Sequence, residues 1–419
     1  MANHPNENIV LNGNLVSKLR ADIEDVFEVV SVETPRHLPQ TTIWPWQRAS
    51  RDSEAGRSGQ GVIFFIGNLL RQDSEAVYDL IAERWQAHHY TPMLRRHQDQ
   101  IALIAWPGVV SPKPRNPWIN LGLAIVTIFS VLLTGAIQEC NGCFPTTLAD
   151  WLGGLPMMLA LMVILLAHEF GHYFAARYHK VAVTLPYFIP LPVISPVGTL
   201  GAFIQLRTPF KTKKELFDIG IAGPLGGLIF AIPLIFWGVA GSTVSEIVRG
   251  ENNVLEGNSI FYLAVKYLMH GQLLPHFDHY ANLPLWQEFV LMLGGILPPG
   301  GGSDILINSV AFAAWFGLFV TAMNLLPVGQ LDGGHVIYCL LGEKARWLGL
   351  TLVGAMILAG FFWWPGWLVW ALLVYFIIGP GHPPPLNDLV DLGLGRKILA
   401  YLMIIIFVVL FMPNPLQPL

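Results

Sequence analysis

LPMMLALMVILLAHEFGHYFAARY, residues Leu155 to Tyr178, sets two histidines and a glutamate inside a run otherwise apolar enough to cross a bilayer. On a helix, residues four apart project from one face, so His168 and His172 point the same way. This HExxH spacing lets two imidazoles hold one Zn²⁺, with Glu169 between them placed to accept a proton from a water at the metal. A histidine pair packed in a helix bundle is the plainer reading. Ionisable groups inside a span argue against it, because a charged one costs about 2.5 to 3.5 kcal/mol at mid-bilayer and usually marks function.

The rest of the chain agrees with a membrane setting. Of 419 residues, 53% are hydrophobic and only 12% charged, a balance foreign to soluble domains of this size. The reading is an α-helical polytopic membrane protein in a lipid bilayer, with about seven transmembrane helices. The expected spans are Pro117–Ile137, Leu155–Tyr178, Phe217–Ala240, Ile305–Leu326, Leu348–Trp363, Trp367–Ile378 and Ile398–Phe411. A net charge of -4 gives no case for a nucleic-acid partner, and three cysteines are too few for a disulfide framework. Met1–Val10 has the character of neither a secretory signal nor a transit peptide, so no removable address is expected there.

Residues 1–116 hold 12 of the 24 Lys and Arg and no run long enough to span, which predicts a small soluble α+β domain. Leu15, Leu19, Ile23 and Val26 recur at helical spacing. A polar linker from Thr34 to Gly59 leads to a strand over Gly61–Leu69, a helix from about Ser74 and two strands near Tyr90–His97 and Gln100–Trp106. The membrane domain then occupies 117–412, with a mostly polar insertion at 241–304. Cys140-Asn-Gly-Cys143 reads as a disulfide, a redox pair or a chance pairing, and two cysteines alone cannot complete a zinc site.

Val183–Thr208 is apolar yet broken by Pro186, Pro190, Pro192 and Pro196, so it reads as a re-entrant hairpin rather than a spanning helix. Backbone of that kind survives at membrane depth only against protein or beside a wet cavity, which suggests a place next to the metal. Of the 12 Lys and Arg after residue 116, ten fall on one set of alternating loops and only Arg249 and Lys266 on the other. By the positive-inside rule residues 1–116 are cytoplasmic and 241–304 lies outside. The polar ends of the HExxH helix and of the segment at Asp332 then share one face. Asp332, beside the flexible Gly333 and Gly334 at the end of a span, is the best candidate for a third ligand, its plainer reading being an Asx turn.

With these residues in view the chain resembles the site-2 proteases, intramembrane zinc metalloproteases. The likeness rests on His168-Glu-Phe-Gly-His172, Ala222-Gly-Pro224, and Asn324-Leu-Leu-Pro327 with Leu331-Asp-Gly333. It implies that His168, His172 and Asp332 bind zinc, that Glu169 is the catalytic base and that Asn324 holds the substrate backbone. Gly227 stands where many members carry asparagine. The soluble N-terminal domain and the loop at His382 look more like the cyanobacterial and chloroplast branch. The implied reaction cuts a peptide bond within or near a transmembrane helix of a membrane protein substrate, in the cell inner membrane or the thylakoid membrane. The helix must first be unwound, and Gly198–Leu206 is a candidate strand edge for pairing with it. A membrane transporter would predict internal hydropathy repeats, which are not seen. A catalytically silent regulatory homologue should lack one of the four residues, and all are present.

Overall fold

A computed structural model describes residues 13–33, 61–109, 116–247, 254–277, 283–295 and 302–418. The expected linker 34–59 and parts of the insertion lie outside the described residues. The described chain is mostly helical and divides into two compact units.

The first unit contains α1 (Gly13–Ala21), β1 (Phe27–Glu33), β2 (Ile63–Leu69), α2 (Ser74–Gln86), β3 (Tyr90–His97) and β4 (Gln100–Pro107). The strands form one antiparallel sheet in the order β1-β2-β4-β3. Asp73 caps α2, its carboxylate accepting from the backbone of Glu75 and Ala76. Strand β1 is not in the expected pattern. The apolar spacing through Val26 suggested one helix, but the helix stops at Ala21, and Ile23 and Val26 are buried by a turn that leads into β1. The core gathers Leu19, Ile23, Phe65, Ile81, Trp85 and Leu103.

Two later segments, 206–216 and 383–393, also belong to this unit. Leu94 on β3 donates its N–H to Leu386 O at 2.8 Å, and Asp388 N–H donates to Leu94 O at 3.2 Å. Leu386 and Asn387 donate to the carbonyls of Phe210 and Lys211 at 2.9 and 2.7 Å, which pairs the two segments with each other. Lys214 meets Glu75 at 2.5 Å and Lys211 meets Asp79 at 2.6 Å. Pairing between residues this far apart leaves no periodic trace in the sequence.

The second unit holds the apolar helices. In chain order they are α3 (Trp118–Glu139), α4 (Leu148–Gly153), α5 (Leu155–Tyr178) and, after β5 (Tyr187–Pro190) and β6 (Thr199–Phe203), α6 (Lys213–Ala240), whose first turn lies in the other unit. The insertion supplies β7 (Thr243–Glu246), β8 (Val254–Glu256), α7 (Ile260–His270), β9 (His276–Phe277), α8 (Leu285–Gly294) and β10 (Gly302–Leu306). Then come α9 (Ser309–Asn324), α10 (Asp332–Leu341), α11 (Ala345–Phe362), α12 (Gly366–Leu372, prolonged by a wider turn to Ile378), α13 (Leu394–Leu410) and β11 (Leu416–Pro418).

Among the described residues four helical runs are long and apolar enough to cross a membrane: 118–139, 148–178, 213–240 and 332–362. Helix α9, expected from Ile305, begins only at Ser309, because Ile305 and Leu306 pair with β7 and Asn308 caps the helix by accepting from Ala311 N–H. Its 16 residues reach about 24 Å, short of a ~30 Å hydrocarbon layer. Cys140 and Cys143 are joined by a disulfide at the end of α3.

The proline-broken segment folds into a two-stranded antiparallel hairpin, pairing Tyr187 with Phe203, Phe188 with Ala202 and Pro190 with Thr199. Side chains of α3 satisfy its irregular backbone. Asn120 Nδ2 donates to Leu185 O at 2.7 Å, Ser130 Oγ to Gly198 O at 2.5 Å and Gln138 Nε2 to Pro196 O at 2.6 Å. These side chains give partners to hairpin carbonyls in apolar surroundings, where an orphan would be costly, and Gly198 O also accepts from Leu191 N–H at 3.0 Å.

Candidate metal centre

Helix α5 opens with Pro156 in its first turn and runs unbroken to the cap at His179. His168, Glu169 and His172 are buried, 6%, 5% and 8% exposed, so the HExxH face turns into the protein and away from lipid. His172 Nδ1 lies 2.7 Å from the carbonyl of Ile219 on α6. A carbonyl only accepts, so a proton sits on Nδ1, and in the neutral ring that leaves the Nε2 lone pair facing the opposite way.

That lone pair meets two others. His172 Nε2 is 3.2 Å from His168 Nε2 and 3.3 Å from Asp332 Oδ1, and Asp332 Oδ2 is 3.4 Å from His168 Nε2. One ligand atom from each of the three residues lies within 4.8 Å of the others. Three lone-pair donors converging in a buried site repel one another unless a cation or proton stands between them. Two imidazole nitrogens and one carboxylate oxygen suit Zn²⁺ with a fourth position left open, so the residues fit the metal the sequence implied.

Asp332 reaches this place by a route the sequence reading had differently. It is the first residue of α10, not a loop residue beside flexible glycines. The chain turns between α9 and α10 through Gly329, at φ +57°, and the start of α10 then presses on the end of α9. A Cβ on Gly333 would collide with the carbonyl of Leu325. The glycine is therefore required for close approach, and it fixes Asp332 rather than loosening it. Asn324, the last residue of α9, comes to the same spot, with Nδ2 3.3 Å from His168 Nε2.

Helix α6 closes the other side, and here lies the physical content of Ala222-Gly-Pro224. A Cβ at Gly223 would fall on the His172 ring, so only glycine leaves the ligand its room. Pro224 has no N–H for the carbonyl of Gly220, which interrupts the helical ladder beside Ile219. Gly227 is different: a Cβ there would stand 3.4 Å from His168 Cβ and 3.5 Å from Nδ1, ordinary contact. A small residue is tolerated at that position, not demanded. The sequence reading had no role for the Ile219 carbonyl, since a backbone acceptor has no residue signature.

A second histidine pair was also not anticipated. His335, one turn after Asp332, has Nδ1 2.6 Å from His382 Nε2, and the His382 ring stacks on Tyr338 with centroids 4.8 Å apart. His335 and His382 do not join the three-residue group.

Fold and site together define a helical protein of membrane character in which His168, His172 and Asp332 form a candidate metal site among apolar helices. Residues 156–359, which contain every one of the site residues, match Peptidase family M50. That match agrees with the resemblance to the site-2 proteases carried by the sequence motifs. It is 27% identical over 430 residues to the probable zinc metalloprotease EGY1, chloroplastic, of Oryza sativa subsp. japonica, over 90% of this chain and 66% of that protein. It is 30% identical over 330 residues to the protein of the same name from Arabidopsis thaliana, over 73% and 55%. The probable zinc metalloprotease EGY2, chloroplastic, of Oryza sativa subsp. japonica is 24% identical over 86% of this chain and 63% of its own length. The chain thus spans between 55% and 66% of the length of these relatives.

Proposed function

We propose that this chain is a zinc metalloprotease that hydrolyses a peptide bond within or near a transmembrane helix of a membrane protein substrate. The observation that carries the reading is the convergence of His168, His172 and Asp332 within 4.8 Å, next to Glu169 and inside a helix apolar enough to span. His168, His172 and Asp332 hold the ion; Zn²⁺, when bound, supplies Lewis-acid polarisation of the scissile carbonyl. Glu169 accepts the proton of the attacking water and hands it to the leaving amine. The Asn324 amide, 3.3 Å from His168, is placed to hold substrate backbone at the cluster.

The substrate helix has to expose an amide that its own ladder hides. The hairpin β5–β6 is two-stranded, and in this reading an extended substrate segment joins it at the β6 edge. Leu200 and Phe203 on β6 are exposed apolar side chains suited to an apolar substrate. In this reading about seven helices cross the bilayer, the hairpin re-enters it, residues 1–116 form a cytoplasmic domain and 241–304 lies on the other side. Likeness to chloroplast proteins favours a thylakoid or related membrane. The deciding experiment is a purified single-span substrate with zinc and cleavage measured on the same preparations. Parent protein should hold about one zinc and cleave, and His172→Ala should do neither. A parent protein that cleaves equally well after its zinc is stripped would overturn the reading.

A further inference from the structure

Three helix ends meet at one carboxylate close to the metal centre. Asp218, near the start of α6, accepts Nε and Nη2 of Arg396 from the start of α13, both at 2.7 Å. Its Oδ2 also lies 3.0 Å from Nε2 of His179, the residue that caps the metal-bearing helix α5. The next residue along α6 is Ile219, whose carbonyl takes the Nδ1 proton of His172 at 2.7 Å. A carboxylate pinned from two sides therefore sits one residue from the backbone atom that orients a metal ligand.

Such a pin adds orientation to the packing contacts at the start of α6. Beyond Pro224 the helix is located by its close approach to α5, where a Cβ on Gly226 would stand 2.5 Å from the carbonyl of Ala167. Pro224 interrupts the ladder, so the turns before it rely on contacts of their own, Ala222 against Gly171, Gly220 against His335 and the Asp218 carboxylate against Arg396 and His179. A rotation of about 20° at a backbone radius of ~2.3 Å moves a carbonyl by roughly 0.8 Å. That would carry the Ile219 contact outside the hydrogen-bond range and release the His172 ring. The pair adds little to stability by itself, since its side chains are 38% and 25% exposed and such pairs contribute about 0 to 1 kcal/mol. Its bidentate geometry supplies orientation instead.

We propose that Asp218, held by Arg396 and His179, is a positioning residue that keeps the Ile219 carbonyl on His172 and so sets the zinc affinity of the centre. This rests on the reading of His172 as a metal ligand. The test uses the purified full chain, zinc affinity by competition with a chromophoric chelator, and thermal unfolding of the metal-free form. Asp218→Ala should bind zinc about tenfold more weakly, the low end of the 10- to 100-fold expected when an outer partner of a ligand is lost. Arg396→Lys keeps the charge but not the planar fork, so its affinity should fall as well. Both metal-free variants should unfold near the parent temperature. Parent affinity in both variants, with zinc lost in His172→Ala, would overturn the proposal and leave the metalloprotease reading standing. An affinity loss that only follows a fall in metal-free stability would reduce Asp218 to a structural role and also overturn it. Should His172→Ala keep zinc at parent affinity, the ligand reading fails, and this proposal with it.

Discussion

Replacing Gly223 by alanine is the smallest change that should dismantle the metal centre. The added methyl would stand 2.5 Å from His172 Cε1, and nearer still to Nε2, whereas ordinary contact begins at 3.4 Å. Relieving the Cε1 contact alone takes about 0.9 Å, the difference of those two values, and the nearer Nε2 contact takes more. The helices cannot simply part, because α5 and α6 already touch backbone to backbone, where a Cβ on Gly171 would stand 2.8 Å from the backbone carbon of Ala222. The ring is the softer element. It would swing off the Ile219 carbonyl and carry Nε2 out of the three-donor cluster. A ligand displaced by close to 1 Å is beyond the ~0.5 Å tolerance of a working site, and such misplacement can cost about 10²-fold in rate. That corresponds to about 2.7 kcal/mol of transition-state stabilisation.

Helix propensity works against any general explanation, since glycine to alanine in a helix interior gains up to ~1 kcal/mol. The control is Gly227→Ala, four residues further on the same helix, whose methyl would make only ordinary contact with His168. Zinc stoichiometry, zinc affinity and cleavage rate should be measured on both variants, with unfolding temperature as a check on folding. Gly223→Ala should lose at least tenfold in zinc affinity and about 10²-fold in cleavage, and Gly227→Ala should stay within a few-fold of the parent. If Gly223→Ala kept parent zinc affinity, or if both variants lost it equally, the account of Gly223 as the seat of the His172 ring would be refuted.

Glu169→Gln keeps shape but removes the base, so it should retain about one zinc per chain yet lose roughly 10²- to 10⁴-fold in turnover; near-parent cleavage would exclude the proposed base. Asp332→Ala should lose both zinc and cleavage, as elemental analysis and substrate gels on one preparation will tell. Phe203→Pro removes an N–H from the end of β6 and should slow cleavage while leaving zinc content intact, and undiminished cleavage would count against strand pairing with substrate. In the insertion, burial and the nearby Asp304 carboxylate push Glu256 up to about 7, against the opposing pull of Lys266 and a hydrogen bond from Tyr262. An acid whose folded value is raised is best accommodated when protonated, so unfolding temperature should fall as pH rises from about 4.5 through about 7, and Glu256→Gln should flatten that dependence.

What the sequence disclosed follows from which interactions are local. His168, Glu169 and His172 lie within one turn and a half of a single helix, so spacing alone places them on one face, and the structure keeps them there. Asp332 was legible by its membrane level and by the Leu331-Asp-Gly333 likeness, not by spacing. The contacts that bring it to His168 run through Gly329 and Gly333, whose lack of a side chain reads equally as a flexible loop or as a tight approach. Strand β1 stayed hidden because Leu19, Ile23 and Val26 obey a helical period while being buried partly by a turn. The adoption of segments 206–216 and 383–393 by the first unit depends on backbone pairing, which is blind to side-chain identity.

The same reasoning explains why Ala222-Gly-Pro224 carries more information than its residues suggest. Alanine and glycine in an apolar helix read as a generic small-residue face for helix packing. In the structure the glycine vacates the volume of a ligand ring, and the proline opens the ladder beside the carbonyl that fixes the tautomer of that ring. Neither residue touches a substrate or a metal, yet each removes an atom that would otherwise stand in the way, a methyl in one case and an amide hydrogen in the other. A metal centre among apolar helices has few polar side chains to orient its ligands, so it uses backbone acceptors. Here the acceptor is Ile219 O, one residue before the Gly220 carbonyl that Pro224 leaves without its helical donor, so the break and the atom that orients the ring lie side by side.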